Sequence, residues 1–402
     1  MERIRSNLIA VPATANERLG RKVTTSTAGE KVEAFVPPPL PPVPPLRMAE
    51  LYGLLEGANR AIGRLQGVSS VLPGTPLFLY MYVRKEALLS SQIEGTQSSL
   101  SDLLLHEDRD APGAPVDADV EEVSNYVNAL NHGLDRLDEG LPVSVRLVRE
   151  LHEVLLRGGR GSAASPGEFR RSQNWIGGTR PGNARFVPPP PELVVELMSD
   201  LERFIHDATH PLPLLLKIGL VHVQFETIHP FLDGNGRLGR LLITLLLCSH
   251  DVLDDPLLYL SLYFKTHRDE YYDLLQSVRT RGDWEAWLTF FLEGIVETAD
   301  QAADTATDLL DLFDRDRRRI EALGRPAGSA LRVHQIVQER PFVSVPAAAK
   351  RLGLSRPTVA RSVEHLEKLG VLHEVTGRRW GRTYAYREFL HILETGTEPI
   401  GG

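Results

Sequence analysis

The sequence predicts a mainly α-helical protein with one short β-hairpin and a small C-terminal unit of different character. Three observations carry that prediction. Apolar residues recur at three- and four-residue intervals over most of the chain from Met48 onward. The main break in that rhythm, Phe169 to Pro191, is punctuated by Gly177-Gly178 and Pro181-Gly182. Beyond Pro326 the charge balance reverses and short β-rich runs follow two compact helices.

Taken in order, residues 1–35 are polar and weakly periodic, which predicts a flexible N-terminal segment. VPPPLPPVPPL, Val36 to Leu46, favours an extended polyproline conformation, a stiff strap across the protein's own surface. A docking motif for a proline-binding partner is the alternative. MAELYGLLEGANRAIGRL, PLFLYMYVRKEALLSSQIEG, DVEEVSNYVNALNHGLDRL and SVRLVRELHEVLL each have helical periodicity, the last opened by Pro142 and Ser144. NWI and ARFV flank the glycine-rich break and read as a short β-hairpin or ordered loop; PELVVELMSDLERFI starts another helix. VHVQFETI, Val221 to Ile228, alternates like a strand, but no breaker except Gly219 lies between Leu214 and Ile228, so a four-turn helix is the better reading. RLGRLLITLLLCSH is apolar nearly all round, as a helix buried inside a bundle should be. TADQAADTATDLLDLFDRDRRRIEAL predicts a long linking helix ended by Gly324 and Pro326.

The composition suits two or three globular domains: 402 residues, 42% hydrophobic and 24% charged. A net charge of -8 argues against nucleic-acid binding by the whole molecule. The single cysteine, Cys248, excludes an internal disulfide and reads as a buried thiol. No signal peptide is evident and LLITLLLC is too short to span a bilayer. A cytoplasmic compartment and no membrane partner are expected.

HPFLDGNGRLGR, His229 to Arg240, concentrates the chemistry. Its GNGRLG spells the dinucleotide fingerprint, which requires a preceding strand and alternating β-α-β units. No such series is visible, and the acidic partner, Asp254-Asp255, has only its spacing in its favour. A phosphate cradle fits better. Gly234 and Gly236 let backbone N–H groups approach an anion, and the helix opening near Arg237 adds its positive end. Arg237 and Arg240, three apart, should project from one face as guanidinium forks for successive phosphates. Asp233 offers oxygens to a hard cation, and His229 can accept a proton near neutral pH. Metallohydrolase chemistry has little support: His152-Glu153 begins a zinc motif, but Leu156 replaces its second histidine.

The stretch resembles the Fic-domain signature H-x-F-x-[DE]-G-N-G-R-x-x-R at every specified position, and similarity extends from about Pro37 to Thr298. The resemblance implies a Fic-type helical bundle with a β-hairpin flap. It implies transfer of AMP from ATP to a Ser, Thr or Tyr hydroxyl of a protein, with release of pyrophosphate. His229 would be the base and Asp233 would hold Mg²⁺. Asn235 and the Gly234 and Gly236 amides would form the anion hole, with Gly239 completing the glycine set. Arg237 would meet the β-phosphate and Arg240 the γ-phosphate, with Phe231 a buried anchor. The flap would align the target segment by strand addition. Ser90-Ser91-Gln92-Ile93-Glu94-Gly95 resembles the family's inhibitory motif [ST]-x-x-x-E-[GN], so Glu94 is expected on Arg240, with Ser90 holding its carboxylate and Gly95 closing the motif. Some relatives transfer other phosphate-containing groups or remove AMP. A homodimer is implied by analogy. Tyr259 and Tyr263 could supply an adenine-stacking ring or simply pack in the core.

VSVPAAAKRLGLSRPTVARSVEHLEKLGVL gives two helices about Gly353-Leu354-Ser355, and HEVTGRRWGRTYAY gives a wing; together they resemble a winged helix-turn-helix domain. From Arg332 to Glu388 eleven Lys/Arg face five Glu, against the negative whole. Arg356, Thr358, Arg361 and Arg378 are candidate DNA contacts. The expected division is 1–35 flexible, 36–115 strap and inhibitory helices, 116–300 catalytic core, 301–326 linking helix and 327–395 winged helix. A transcription regulator with a nucleotide-sensing Fic domain remains the alternative function.

Overall fold

The computed structural model describes residues 18–70, 75–107, 118–158, 161–209, 212–377 and 381–399. The chain opens with β1 (Arg21–Thr27) and β2 (Glu30–Val36), then α1 (Met48–Ser70), α2 (Thr75–Ile93), α3 (Leu100–Glu107), α4 (Ala118–Asp138) and α5 (Val145–Leu155). A long loop with two short 3-10 turns leads to α6 (Val194–His206), α7 (Leu214–Ile228) and α8 (Asn235–Ser249). α9 (Ser261–Thr266), α10 (Arg268–Arg281) and α11 (Trp284–Glu321) complete the bundle. The last unit contains α12 (Ala327–Glu339), β3 (Phe342–Ser344), α13 (Val345–Leu352), α14 (Arg356–Lys368), β4 (His373–Glu374), β5 (Thr383–Ala385) and α15 (Arg387–Glu394).

α7 and α8 form the centre. Every residue of α7 beyond Leu214 except Lys217 is buried, and α8 is buried continuously from Arg237 to Leu247. A segment apolar on all sides must be surrounded, and α4, α5, α6, α10 and α11 pack around the pair. Because α7 is a helix, the dinucleotide reading lacks the strand it needs. Gly219 lets α11 approach closely: Trp287 Nε1 donates to Gly219 O at 2.9 Å, and a Cβ there would come within 2.8 Å of Leu288.

Several expectations need correction. Residues 18–35 are not a loose start. β1 and β2 pair antiparallel from Arg21↔Val36 to Thr27↔Glu30, turning through Ala28 and Gly29 at φ +50° and +80°. Only Val32, Ala34 and Val36 face inward, so half of each strand is solvated and the apolar signal is thin. The strap, Pro37 to Leu46, contains two cis X-Pro bonds, at Pro41 and Pro44, and is held at Pro38 O by Gln224 Nε2 at 2.8 Å. The linking helix is the outer part of α11, which runs unbroken for 38 residues from inside the core and lies along α1. Between Trp284 and Glu321 the one breaker is Gly294, which the helix passes through, and Ile295, Ala299, Ala302, Ala306 and Leu309 keep one face buried. The flap is narrower than a two-stranded hairpin: one bridge, Ile176↔Phe186, closes it, with glycines 177 and 178 at positive φ in its turn. β2 continues alongside it, Phe35 N donating to Val187 O at 2.9 Å.

In the C-terminal unit, β3, β5 and β4 form an antiparallel sheet beside α13 and α14. Gly353 ends α13 at φ +64°, and Ser355 Oγ caps α14 by accepting from Thr358 N at 3.3 Å. Arg315 on α11 pairs with Glu388 on α15. Past α15 the chain returns to α2, where Lys85 Nζ donates to Thr395 O at 2.9 Å and Gln92 Nε2 to Thr397 O at 2.8 Å. Among the described residues no helix is long and apolar enough to cross a membrane. Cys248 is half-buried, and burial pushes its thiol up to about 12.

Candidate functional site

α7 ends at His229, which takes a left-handed conformation (φ +49°) and turns the chain into the loop before α8. Side chains of the loop itself and of distant elements hold that loop. Asn235 accepts from Phe231 N and donates to Phe231 O, both at 2.9 Å. Phe231 is fully buried and stacks on the His152 ring at 3.7 Å. His152 Nδ1 accepts from Gly167 N at 2.8 Å, which leaves Nε2–H to donate to Asp233 O at 3.0 Å. Burial lowers the His152 pKa to about 4, so the ring stays neutral, as that pair of bonds requires.

His229 is half-buried. Burial first, then the Arg170 and Arg279 guanidiniums, push its imidazole down to about 3. It is therefore neutral near pH 7 and able to take up a proton. Its carbonyl accepts from Arg170 Nε at 2.9 Å, and its Nδ1 lies 3.1 Å from Asn174 Nδ2. Arg170 is itself buried and also donates to Pro189 O at 2.6 Å, tying the root of the flap to the His229 backbone.

Arg240 is buried in the first turns of α8. Its Nε donates to Ser90 Oγ at 2.9 Å, and its second terminal nitrogen to Ser90 O at 3.0 Å and Glu94 Oε1 at 2.7 Å. Glu94 follows the last residue of α2, and Gly95 turns the chain away at φ +103°. A Cβ on Gly236 would collide with Glu94 Oε1. The carboxylate thus sits against the N-terminal turn of α8, where a phosphate oxygen would be held. Ser90 grips Arg240 rather than the Glu94 carboxylate, because α2 points its hydroxyl at the guanidinium.

Arg237, three residues before Arg240 on α8, takes different partners. It reaches α4, where Glu122 Oε1 is 2.8 Å away, and Asp233 lies 3.8 Å from its other nitrogen. The Thr96 hydroxyl, just past the Glu94 turn, donates to the same Glu122 oxygen at 3.3 Å. Asn235 spends its side chain on Phe231, so only its place at the start of α8 can serve an anion. Gly239 is a packing glycine: a Cβ there would collide with Glu226 and crowd Phe225. Asp233 is partly exposed and accepts from Gly234 N at 2.6 Å. Among the described residues no three metal-ligating side chains cluster. One partly exposed carboxylate beside an anion cradle fits a cation that takes its remaining ligands from phosphates and water. Tyr259 and Tyr263 are core residues, at 0% and 6% exposure, Tyr263 packing on Phe290. In the C-terminal unit Arg356 and Arg361 are exposed on α14, while the Thr358 hydroxyl is spent on Ser355 at 2.8 Å. Arg378 lies outside the described residues.

His152, Arg170, Asn174 and Glu122 were not legible as site residues. Each acts on a residue 55 or more positions away, apart from the family signature, and only the His152-Glu153 pair drew notice, for the wrong chemistry.

Residues 142–247 match the Fic/DOC family, and residues 52–135 match the Fic/DOC family N-terminal region. The chain carries a Fic domain. Residues 329–372 match the winged helix-turn-helix DNA-binding family. Curated relatives include the protein adenylyltransferase Fic of Aedes aegypti, 29% identical over 213 residues (48% of this chain, 39% of that protein). That of Drosophila yakuba is 31% identical over 190 residues (46% and 33%). The chain thus spans well under half the length of these insect relatives. A protein of Aquifex aeolicus named as a probable adenylyltransferase is 25% identical over 319 residues, 79% of this chain and 90% of its own. A crystal structure of a Fic family protein from Desulfovibrio desulfuricans aligns with a TM-score of 0.55 at 21% identity, covering 87% of this chain and 98% of that one. It shares the Fic fold.

Proposed function

We propose that the protein is a self-inhibited protein adenylyltransferase that moves AMP from ATP to a Ser, Thr or Tyr hydroxyl of a protein. The observation that carries the reading is the Glu94 carboxylate on Arg240, against the amino end of α8, whose preceding loop opens at the neutral His229. His229 accepts the proton of the target hydroxyl as its oxygen attacks the α-phosphorus, and the bond to pyrophosphate breaks. The Gly234 and Gly236 amides, Arg237 and Arg240 stabilise charge on the phosphates once their internal carboxylates are displaced. Asp233 would hold Mg²⁺, which would neutralise phosphate charge. The names of the relatives and the intact signature support ATP as substrate.

In the resting form Glu94 occupies one phosphate position, so nucleotide binds in a poorly reactive pose. The test uses ATP labelled at the α- or the γ-phosphate with wild type, Glu94→Gly and His229→Ala. Glu94→Gly should gain α-label on protein, lose that gain when His229 is also replaced, and acquire no γ-label. Transfer unchanged by Glu94→Gly, or indifferent to His229, overturns the reading.

The C-terminal unit supports DNA as a second partner, since Arg356 and Arg361 lie exposed on the second helix of a helix-turn-helix. Loss of DNA retention on replacing both arginines with glutamate is expected. A homodimer in a cytoplasmic setting, with the target segment docked along the flap, completes the proposal; sedimentation velocity tests the dimer.

A further inference from the structure

Residues 395–398, which follow α15, are seated on α2 and α9 by their own backbone. Four consecutive carbonyls each accept from a side chain of the helical bundle. Lys85 Nζ donates to Thr395 O at 2.9 Å, and Gln92 Nε2 donates to Thr397 O at 2.8 Å. Lys265 Nζ, on α9, donates to Gly396 O at 3.1 Å and also to Glu398 O. Lys85 and Gln92 are 2% and 1% exposed, and Thr397 is 5% exposed. Gly396 turns at φ +80°, and a Cβ there would come within 2.8 Å of Leu262 on α9, so only glycine fills the position without strain. Gln92 ties this segment to the turn that carries Glu94. Its Nε2 donates to Ser98 O at 3.1 Å as well as to Thr397 O. Both partners are carbonyls, so both hydrogens of the amide are spent on them. The turn spanned in this way, Glu94 to Gln97, carries the carboxylate that meets Arg240. Without residues 395–398, Lys85 would lose the one hydrogen-bond acceptor it has among the described residues, and Gln92 one of its two. Buried donors left bare are costly, so the end of α2 would have to move to bring them to water.

We propose that residues 395–398 are a clasp on this turn, and that Gln92 is the positioning residue through which they hold Glu94 on Arg240. This rests on the self-inhibited adenylyltransferase reading. The clasp is the direct extension of α15, whose Glu388 pairs with Arg315 of α11 and whose last residue, Glu394, accepts from the Ser101 hydroxyl on α3. A shift of the C-terminal unit thereby reaches Glu94 without touching the phosphate cradle. With the four carbonyls withdrawn, the end of α2 loosens, the carboxylate leaves Arg240, and the phosphate position on α8 opens.

The test is a double-mutant cycle on transfer from α-labelled ATP, run on the full chain. Gly396→Val sets a side chain against Leu262 and should unseat the clasp. Transfer should then rise about tenfold, the worth of one buried hydrogen bond lost from the held form. Gln92→Ala should raise it by a similar factor. In the Glu94→Gly background neither substitution should raise transfer further, because the carboxylate they release is already gone. An equal gain in both backgrounds overturns the proposal, and so does an equal loss in both. Hydrogen exchange followed by mass spectrometry reads the same step without any transfer. Segment 91–98 should exchange faster in Gly396→Val than in wild type, while the flap, 174–187, should be unchanged; unaltered exchange in 91–98 contradicts the clasp. Gln92→Ala, the smaller disturbance, decides both measurements if Gly396→Val does not fold. Absence of transfer from Glu94→Gly itself would sink the adenylyltransferase reading, while the exchange data still decide whether the clasp holds the turn.

Discussion

Arg240 is committed to Glu94 in this structure, and on the proposed function the same guanidinium takes a phosphate once that carboxylate leaves. With Glu94 in place it has a short charged partner and two further acceptors on Ser90, all from one end of α2. The resemblance of Ser90 to Gly95 to the family's inhibitory motif implied this pairing in advance; helical spacing alone left Glu94 free to be an ordinary surface carboxylate. What the letters could not give was the hydroxyl's allegiance, since Ser90 could serve either partner until the direction of α2 is known. His229 invites a test at this scale. Because burial and two guanidiniums hold its imidazole near 3, protonation of the base should not slow transfer as pH falls from 7 to 5. Arg279→Met removes one of the two guanidiniums but leaves the burial and Arg170, so it should raise the imidazole only in part and leave transfer flat across that window. A profile that already falls near pH 6.5 in the parent enzyme would show an ordinary, solvated histidine.

At the scale of elements, the helices of the bundle were legible wherever a full apolar face persisted, as in α1, α4, α5 and α8. α7 was legible only by elimination, since VHVQFETI alternates like a strand and burial on every side erases the period that distinguishes the two. β1 and β2 were not legible for the opposite reason: only three inward side chains mark them, and Val32 and Ala34 pack on Val187 and Trp175 rather than on the main core. Gly219 gives the clearest element-level prediction. Its missing side chain admits Leu288 and Phe291 of α11, so Gly219→Val should force α7 and α11 apart and cost about 1–3 kcal/mol of stability. Urea unfolding followed by circular dichroism measures this; a midpoint equal to wild type would mean the two helices are free to separate there.

For the whole molecule, proton binding couples the buried site to stability. Burial is the leading cause of the lowered values at His152 (about 4), His222 (about 3), His229 (about 3) and His334 (about 4). These rings stay neutral in the fold while the unfolded chain charges them below about 6.5, so the unfolded state binds more protons and stability falls as pH drops through that value. Glu86 and Glu226 act in the other direction: burial raises both to about 7, so each holds a proton in the fold that the unfolded chain releases above about 4.5. Four rings outweigh two carboxyls between these limits. Thermal unfolding should therefore occur at lower temperature at pH 5 than at pH 7, and His222→Gln should narrow the gap; equal melting at both pH values would contradict it.

On the proposed function Glu94 and a nucleotide phosphate compete for the same cradle on α8, and calorimetric titration with ATP measures that competition. Glu94→Gly should bind ATP more tightly than wild type, and adding Arg240→Ala should remove that gain. Equal affinities for wild type and Glu94→Gly, or a gain that survives the loss of Arg240, would mean that the carboxylate does not occupy the phosphate site.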